Sequence, residues 1–203
     1  MKIGAKYSHM NGLEWMMVHE RGIWKEIREV IASLNADDYR AKKSKEKGMM
    51  GQMKIAPIAI NAAMKKEFER RAWEQMRFDY LVTNDYNLTS DILRLPIDEQ
   101  KKKIIEAGKT PISLYNQTDL QKNRVAVEVQ LGKYRFIEFD LFVKHLGFYI
   151  GNSIDVGVEI IPTKKMQAQM SSGPGYYERV LHHVARQGRG APAVPLVLIG
   201  VEP

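Results

Sequence analysis

Two almost entirely apolar segments near the C-terminus place the strongest constraint on the fold of this chain. Residues 154–162 read IDVGVEIIP and residues 195–201 read PLVLIGV. A strand that is apolar on both faces has to be covered on both faces, which is typical of parallel strands flanked by helices. A further strand at 125–131, with helical patterns at 138–149 and 176–187, gives the order β-α-β-α-β. The sequence therefore predicts an α/β fold with a central mixed or mostly parallel sheet.

The N-terminal half has helical periodicity interrupted by shorter strand-like runs. An apolar stripe with the 3.6-residue helical spacing predicts a helix over 12–34. Pro57 suits the first turn of a second helix, predicted to continue to about residue 76. A strand is predicted at 78–84, and a short helix at 98–109 with acidic residues at its start.

A basic segment at 39–54, YRAKKSKEKGMMGQMK, has no clear period. It is either a solvated surface loop or a segment that follows a phosphate backbone. Because runs of lysine usually lie at the surface, the pattern favours the loop.

Composition limits the classes of protein to which the chain can belong. Its 203 residues are sufficient for one sizeable domain, and we predict a single domain over 1–203. The sequence has no cysteine, which excludes disulfides, thiolate nucleophiles and cysteine-based zinc sites. No segment resembles a signal peptide or a membrane span, so we expect a cytoplasmic protein with no membrane partner. The net charge of +7 favours a polyanionic partner such as nucleic acid.

The strand at 125–131 carries polar side chains on one face. Its odd-numbered residues are apolar, whereas Glu128 and Gln130 share the opposite face with Ala126. A turn at LQKN would bring Asp119 beside Glu128. Two close carboxylates, with the Val129 carbonyl as a candidate third ligand, suit a hard divalent cation such as Mg²⁺. The alternative is the solvated face of an ordinary hairpin, and the spacing alone does not decide between them.

The same segment, DLQKNRVAVEVQLGKYRF, resembles the active-site hairpin of restriction endonucleases of the BglII and BstYI type, within the PD-(D/E)xK nuclease superfamily. The resemblance extends through YSHMNGLE, IWKEI, YNQTD, DLFVKH, IDVGVEI, MSS, YYE, RQGRG and PLVLIG, in chain order, and so covers nearly the whole chain. It implies the restriction-endonuclease-like fold of that superfamily.

The resemblance also implies a role for each polar residue of the hairpin. Asp119 and Glu128 would bind Mg²⁺, and Gln130 would orient the attacking water. Most of the superfamily has lysine where this sequence has Gln130. A neutral amide cannot supply positive charge or act as a base near neutral pH, so activation of water would depend on the metal.

The residues implied for DNA recognition lie in two loops. Lys133 would read a base in the major groove, where lysine suits the acceptors of guanine. Ser171 and Ser172, in the loop SSGPG, are candidate base contacts, although without the resemblance this loop would be interpreted as a plain turn with a serine N-cap. Tyr176 and Tyr177 are candidate phosphate contacts, against an alternative role in packing.

The function implied is that of a type II restriction endonuclease. It would cut double-stranded DNA within a short palindrome with a GATC core, leaving four-base 5′ overhangs. Such an enzyme would act as a homodimer that matches the two half-sites, in a prokaryotic host with a cognate DNA methyltransferase. Two other functions stay open: a repair or recombination nuclease with little sequence preference, and a non-catalytic DNA-binding protein.

Overall fold

The computed structural model describes residues 1–45, 48–132, 136–171 and 173–203. Within these ranges the strands are β1 Lys2–His9, β2 Arg40–Lys43, β3 Met53–Ile55, β4 Glu74–Val82, β5 Ile112–Lys122, β6 Val125–Val129, β7 Val156–Pro162 and β8 Leu196–Glu202. The α-helices are α1 Gly12–His19, α2 Arg21–Ser33, α3 Pro57–Glu69, α4 Tyr86–Ile92, α5 Ile97–Glu106, α6 Ile137–Phe139, α7 His145–Ile150, α8 Lys164–Gln167 and α9 Tyr177–Arg186. A π-helical turn, Asp140–Lys144, joins α6 to α7. None of the helices in the described part of the chain is long and apolar enough to cross a membrane.

Six strands form one mixed sheet in the order β1-β8-β7-β6-β5-β4. The three central strands, β6, β7 and β8, are parallel to one another. The outer strands β1, β5 and β4 each pair antiparallel with a neighbour. Strands β6 and β7 are buried along their whole length, as their apolar sequences require. The predicted α/β fold with a mixed sheet flanked by helices is confirmed, whereas the predicted single domain over 1–203 stays a prediction.

The two faces of the sheet bury different side chains. From β6, the odd-numbered residues Val125, Val127 and Val129 pack in the main core with side chains of α2 and α3. The intervening Ala126 packs on the other face with Phe148 of α7. The predicted alternation along this strand is therefore confirmed, and Glu128 lies on the same face as Ala126.

The two long helices predicted in the N-terminal half are correct in place but too long. The helix expected over 12–34 is two helices, separated at Glu20, whose φ of −134° and ψ of 48° are not helical. The apolar stripe that suggested one helix belongs to α2 alone. The second helix ends at Glu69 rather than near residue 76, because Ala72 has a φ of 58° and β4 begins at Glu74.

The basic segment at 39–54 is more ordered than the predicted loop. Strands β2 and β3 form a separate antiparallel hairpin, in which Lys43 is opposite Met53. Residues 46 and 47 lie outside the described residues. The prediction of a loop was wrong at both ends of the segment. The strands are too short, and their lysines too numerous, to show the alternation of apolar and polar residues by which a strand is predicted.

The turn between β5 and β6 also differs from the prediction. Leu120 and its neighbours as far as Lys122 belong to β5, and the turn consists of Asn123 and Arg124. These two residues have φ values of 48° and 62°, as two-residue hairpin turns require. Asp119 is therefore held inside a strand rather than on a flexible bend.

Candidate active site

Asp119 and Glu128 lie where β5 and β6 separate. The last paired residues of the two strands are Leu120 and Val127, and beyond them β5 continues beside β4. Across this opening the backbone N–H of Asp119 donates to Glu128 Oε1 at 3.4 Å. The N–H of Val129 points to Asp119 Oδ2 at 3.5 Å. The structure therefore brings together the two carboxylates that the sequence singled out.

Each of these carboxylates contacts a lysine that the sequence analysis did not include. Lys65 of α3 places Nζ 2.6 Å from Asp119 Oδ1. Lys144 of the π turn places Nζ 2.5 Å from Glu128 Oε1 and 2.9 Å from Asp140 Oδ1. Two helices on opposite sides of the hairpin thus each direct one ammonium group to the site.

Gln130 is held by the same π turn. Its Nε2 donates to Asp140 Oδ2 at 2.9 Å. Because an ionised carboxylate can only accept, this contact directs the amide nitrogen toward Asp140 and leaves Gln130 Oε1 as a separate acceptor. Asp140 thus determines the orientation of an amide that would otherwise be free to turn over.

Burial makes the negative charge of Glu128 costly. The side chain is 1% exposed, and its Oε2 has no hydrogen-bond partner among the described residues. Burial raises the pKa of Glu128 to about 8; Lys144 opposes this rise, and the charges of Asp140 and Asp119 add to it. Burial likewise acts against the charge of Lys144, but Glu128 and Asp140 outweigh it and raise the pKa of that ammonium group. The group formed by Asp119, Glu128, Asp140 and Lys144 would therefore be stabilised by a further cation bound beside Glu128.

A second acid lies directly beside Glu128 in the sheet. Glu159 of β7 is in register with Glu128 of β6 and is fully buried. Neither of its carboxyl oxygens has a hydrogen bond within the described residues, and burial raises its pKa well above the usual value. His145 Nε2 lies 3.5 Å from Glu159 Oε2, and Gly157 leaves room for the imidazole ring. Burial lowers the pKa of His145 to about 3. His145 is therefore a core histidine, and neither of its ring nitrogens has a hydrogen-bond partner among the described residues.

The donor set fits a hard divalent cation bound with help from water and substrate. No three His, Asp or Glu side chains of the described residues converge on one point, so the protein contribution would be the two carboxylates and a backbone oxygen. Gln130 N–H bonds to Ile160 of β7, so the peptide groups of Val129 face the opposite side, toward the opening beside β5. The unpartnered Oε2 of buried Glu128 is a suitable ligand for such a cation.

The structure describes three of the five residues predicted to contact DNA. Lys133 and Ser172 lie outside the described residues. Ser171 is half-buried, and its N–H donates to Ile55 O at 2.9 Å, which ties its loop to the β2–β3 hairpin. Tyr176 is half-buried at the start of α9, with Lys164 Nζ 4.7 Å from the centre of its ring.

Tyr177 has a packing position. It is 6% exposed and belongs to the core cluster formed by α9 and β8, where it packs against Gly200. Little of its surface is left for a phosphate, so the packing alternative describes Tyr177 better than phosphate contact.

A basic cleft lies beside Ser171. Its volume is about 310 Å³, and it is lined by Lys42, Lys43, Ser44, Lys45, Lys54, Met170 and Ser171. The lysines come from the β2–β3 hairpin, whereas Met170 and Ser171 come from the loop after α8. The structure thus places basic residues of the 39–54 segment next to a candidate recognition loop.

The fold and the paired acids define an α/β protein of the restriction-endonuclease class. The chain belongs to the family described as restriction endonuclease BglII/BglIII, whose sequence model matches residues 5–201. It is accordingly a type II site-specific deoxyribonuclease, and this family generally uses a divalent metal ion. A comparison with curated protein sequences finds no match.

Two solved structures share the fold. One is the crystal structure of restriction endonuclease BglII complexed with a DNA 16-mer, which is 20% identical, with a TM-score of 0.63, over 98% of this chain and 76% of the other. Another is free BglII, which is 17% identical, with a TM-score of 0.57, over 100% of this chain and 80% of the other. At these identities the likeness shows the architecture, and residue roles depend on the site itself.

Proposed function

We propose that this protein hydrolyses phosphodiester bonds of double-stranded DNA within a short palindrome with a GATC core, leaving four-base 5′ overhangs, with Mg²⁺ as cofactor. The observation that carries the proposal is the position of Asp119 and Glu128 at one opening of the sheet. Support comes from membership of a restriction endonuclease family and from the fold shared with an enzyme whose structure was solved in complex with a DNA 16-mer.

In the proposed mechanism, Asp119, Glu128 and the Val129 carbonyl hold the metal. When bound, a divalent cation lowers the pKa of a water molecule and neutralises charge that develops on the phosphate. Gln130 orients the attacking water through Oε1, because its Nε2 is already bonded to Asp140. As an amide it takes no proton, so its contribution is orientation alone.

We also propose that DNA crosses the surface near Ser171, with Ser172 and Lys133 as further base contacts and Tyr176 beside a phosphate. The basic cleft supports this path, because Lys42 and Lys43 lie there with their charges near Ser171. Neutralisation of phosphates by lysine releases counterions and strengthens binding without reading sequence.

Removing charge from the cleft should weaken DNA binding. We expect the double variant Lys42→Ala/Lys43→Ala to bind DNA about 10-fold more weakly at roughly 0.1 M salt, with a shallower salt dependence. Binding is measured at several salt concentrations with Ca²⁺ in place of Mg²⁺. Lys101→Ala/Lys102→Ala on α5 is the matched control, since it removes the same charge from an exposed helix. An equal loss in both double variants would contradict a specific role for the cleft.

We propose a homodimer in solution, because a palindromic site presents two identical half-sites that two-fold related subunits match. Each subunit would offer one active site to one strand. A cognate methyltransferase in the host would protect the same sequence from cleavage. Sedimentation equilibrium of the protein without DNA tests the dimer, which should have twice the 23.3 kDa mass of one chain.

The proposed activity is tested by incubating the purified protein with plasmid DNA and Mg²⁺. We expect a small set of discrete fragments, whose cloned ends give the cut site and its overhang, and no cleavage when EDTA removes the metal. A smear would indicate a nuclease with little sequence preference. Intact plasmid, together with metal-independent binding, would indicate a non-catalytic DNA-binding protein and overturn the proposal.

A further inference from the structure

We infer that Lys144 is a positioning residue that supplies, from the π turn, the fixed positive charge absent from the catalytic strand at Gln130. The inference rests on the proposed function and deepens it. It concerns a residue outside the motif D-x8-E-x-Q, contributed by a helical segment that packs over the hairpin.

The strand and the π turn contact each other at two successive points. Glu128 on β6 and Gln130, the first residue after this strand, are two residues apart and project from the same face. Asp140 and Lys144, four residues apart, project toward them from the π turn. Lys144 contacts Glu128 at 2.5 Å, and Asp140 accepts from Gln130 at 2.9 Å. The Lys144–Asp140 ion pair at 2.9 Å joins the two contacts into one continuous chain of four side chains, from Glu128 to Gln130.

This chain of contacts explains how a site with a neutral residue at 130 can still hold positive charge. The Lys144 side chain is 12% exposed, the Glu128 side chain 1% and the Asp140 side chain 2%. Two carboxylates removed from water this completely need a cation in contact with them. Lys144 touches both and therefore keeps Glu128 oriented toward the opening shared with Asp119.

The second lysine of the site does not duplicate this arrangement. Lys65 contacts Asp119 at 2.6 Å, but its side chain is 31% exposed and it comes from α3 on the other side of the hairpin. The backbone around Lys144 is also unusual, since π-helical turns are rare and occur frequently at functional sites. Both observations favour a role specific to Lys144.

The test separates charge from packing by comparing Lys144→Met with Lys144→Arg. Methionine keeps an unbranched chain without charge, whereas arginine keeps the charge and can donate to both carboxylates. Lys102→Met is the matched control, because Lys102 forms an exposed i,i+4 ion pair with Glu106 at 3.8 Å. For every protein we measure single-turnover cleavage of the identified DNA site at saturating Mg²⁺, binding of the same duplex in Ca²⁺ and the midpoint of thermal unfolding.

We expect Lys144→Met to cleave about 100-fold more slowly than the parent, a loss comparable to removing one preorganised electrostatic contact at an active site. Binding should stay within about threefold, because Lys144 does not line the basic cleft, and Lys144→Arg should recover most of the rate. Lys102→Met should cleave like the parent. If Lys144→Met does not fold, Lys144→Gln replaces it with the same expectations, since glutamine still donates a hydrogen bond.

Two results would overturn the inference. One is a folded Lys144→Met or Lys144→Gln protein that cleaves within threefold of the parent at roughly equal stability. The other is an arginine variant that folds and binds DNA but cleaves no better than the methionine variant, because the shape of lysine rather than its charge would then matter. Failure of the parent to cleave at all would instead refute the proposed function, so the two failures are distinguishable.

Discussion

Asp119→Ala and Glu128→Ala should each lower the single-turnover rate of DNA cleavage by at least about 1,000-fold at saturating Mg²⁺. Either change removes one of the two carboxylates that face the opening between β5 and β6. Gln130 offers only a neutral amide oxygen and a lysine ammonium offers no acceptor, so neither supplies the anionic oxygen lost with the carboxylate. The expected loss is therefore one of chemistry rather than of DNA affinity.

The control for this loss has to exclude misfolding. Asp119→Ala leaves the charge of Lys65 partly exposed to water, and Glu128→Ala leaves Lys144 paired with Asp140. Neither variant therefore leaves a buried charge without a partner or solvent, and we expect both to fold. Binding of duplex DNA in Ca²⁺ and the unfolding midpoint are measured beside the rate. Glu29→Ala, an exposed acid paired with Lys25 at 3.7 Å, should cleave like the parent. A folded Asp119 or Glu128 variant with near-parental cleavage would refute the assignment of both acids.

The sequence was sufficient to predict features that depend on local pattern. Alternation along the predicted strand 125–131 placed Glu128 and Gln130 on one face, and apolar strands near the C-terminus predicted a covered sheet. The approach of Asp119 to Glu128 could also be predicted, because hairpin pairing is short-range. The exact turn could not, since the positive φ of Asn123 and Arg124 is carried by residues less distinctive than an Asn-Gly pair.

The remaining side chains of the site come from contacts between distant segments. Glu159 lies beside Glu128 because β6 and β7 pair in parallel in one particular register, and a shift by one residue would turn it to the other face. Lys65 reaches Asp119 from a helix more than fifty residues away in the chain. A weak signal did exist for the π turn: Asp140 and Lys144 are charged residues four apart in the largely apolar segment 138–149, which was predicted to be helical. Charge in such a position needs a partner, and that partner is Glu128.

The buried acids should also make the protein less stable as the pH rises above neutrality. In EDTA, we expect the free energy of unfolding to fall by about 2 kcal/mol between pH 6.5 and 8 from Glu128 alone. Burial raises the pKa of Glu128 from 4.5 to about 8, so over this range the unfolded chain has already lost a proton that the folded protein retains. The folded state therefore loses stability as pH rises, and the raised pKa of Glu159 acts in the same direction. Above the folded pKa of Glu128 its contribution becomes constant.

His145 changes the free energy of unfolding in the opposite direction below pH 6.5. The loss of stability caused by the acids is therefore best measured above that pH. Burial lowers its pKa from 6.5 to about 3, so below pH 6.5 the unfolded chain takes up a proton that the folded protein refuses. Unfolding by denaturant between pH 6.5 and 8 avoids the contribution of His145. The α-amino group of Met1, whose pKa burial lowers from 8.0, acts against the acids in this range, so the comparison with Glu128→Gln is what isolates Glu128. Glu128→Gln should flatten the fall, whereas Glu29→Gln, an exposed substitution, should leave it unchanged. If the free energy of unfolding of the parent protein stayed constant or increased over this range, folded Glu128 would not have the raised pKa that keeps it protonated. Saturating Mg²⁺ should reduce the fall as well, because the cation would compensate the same carboxylate that catalysis requires to be ionised.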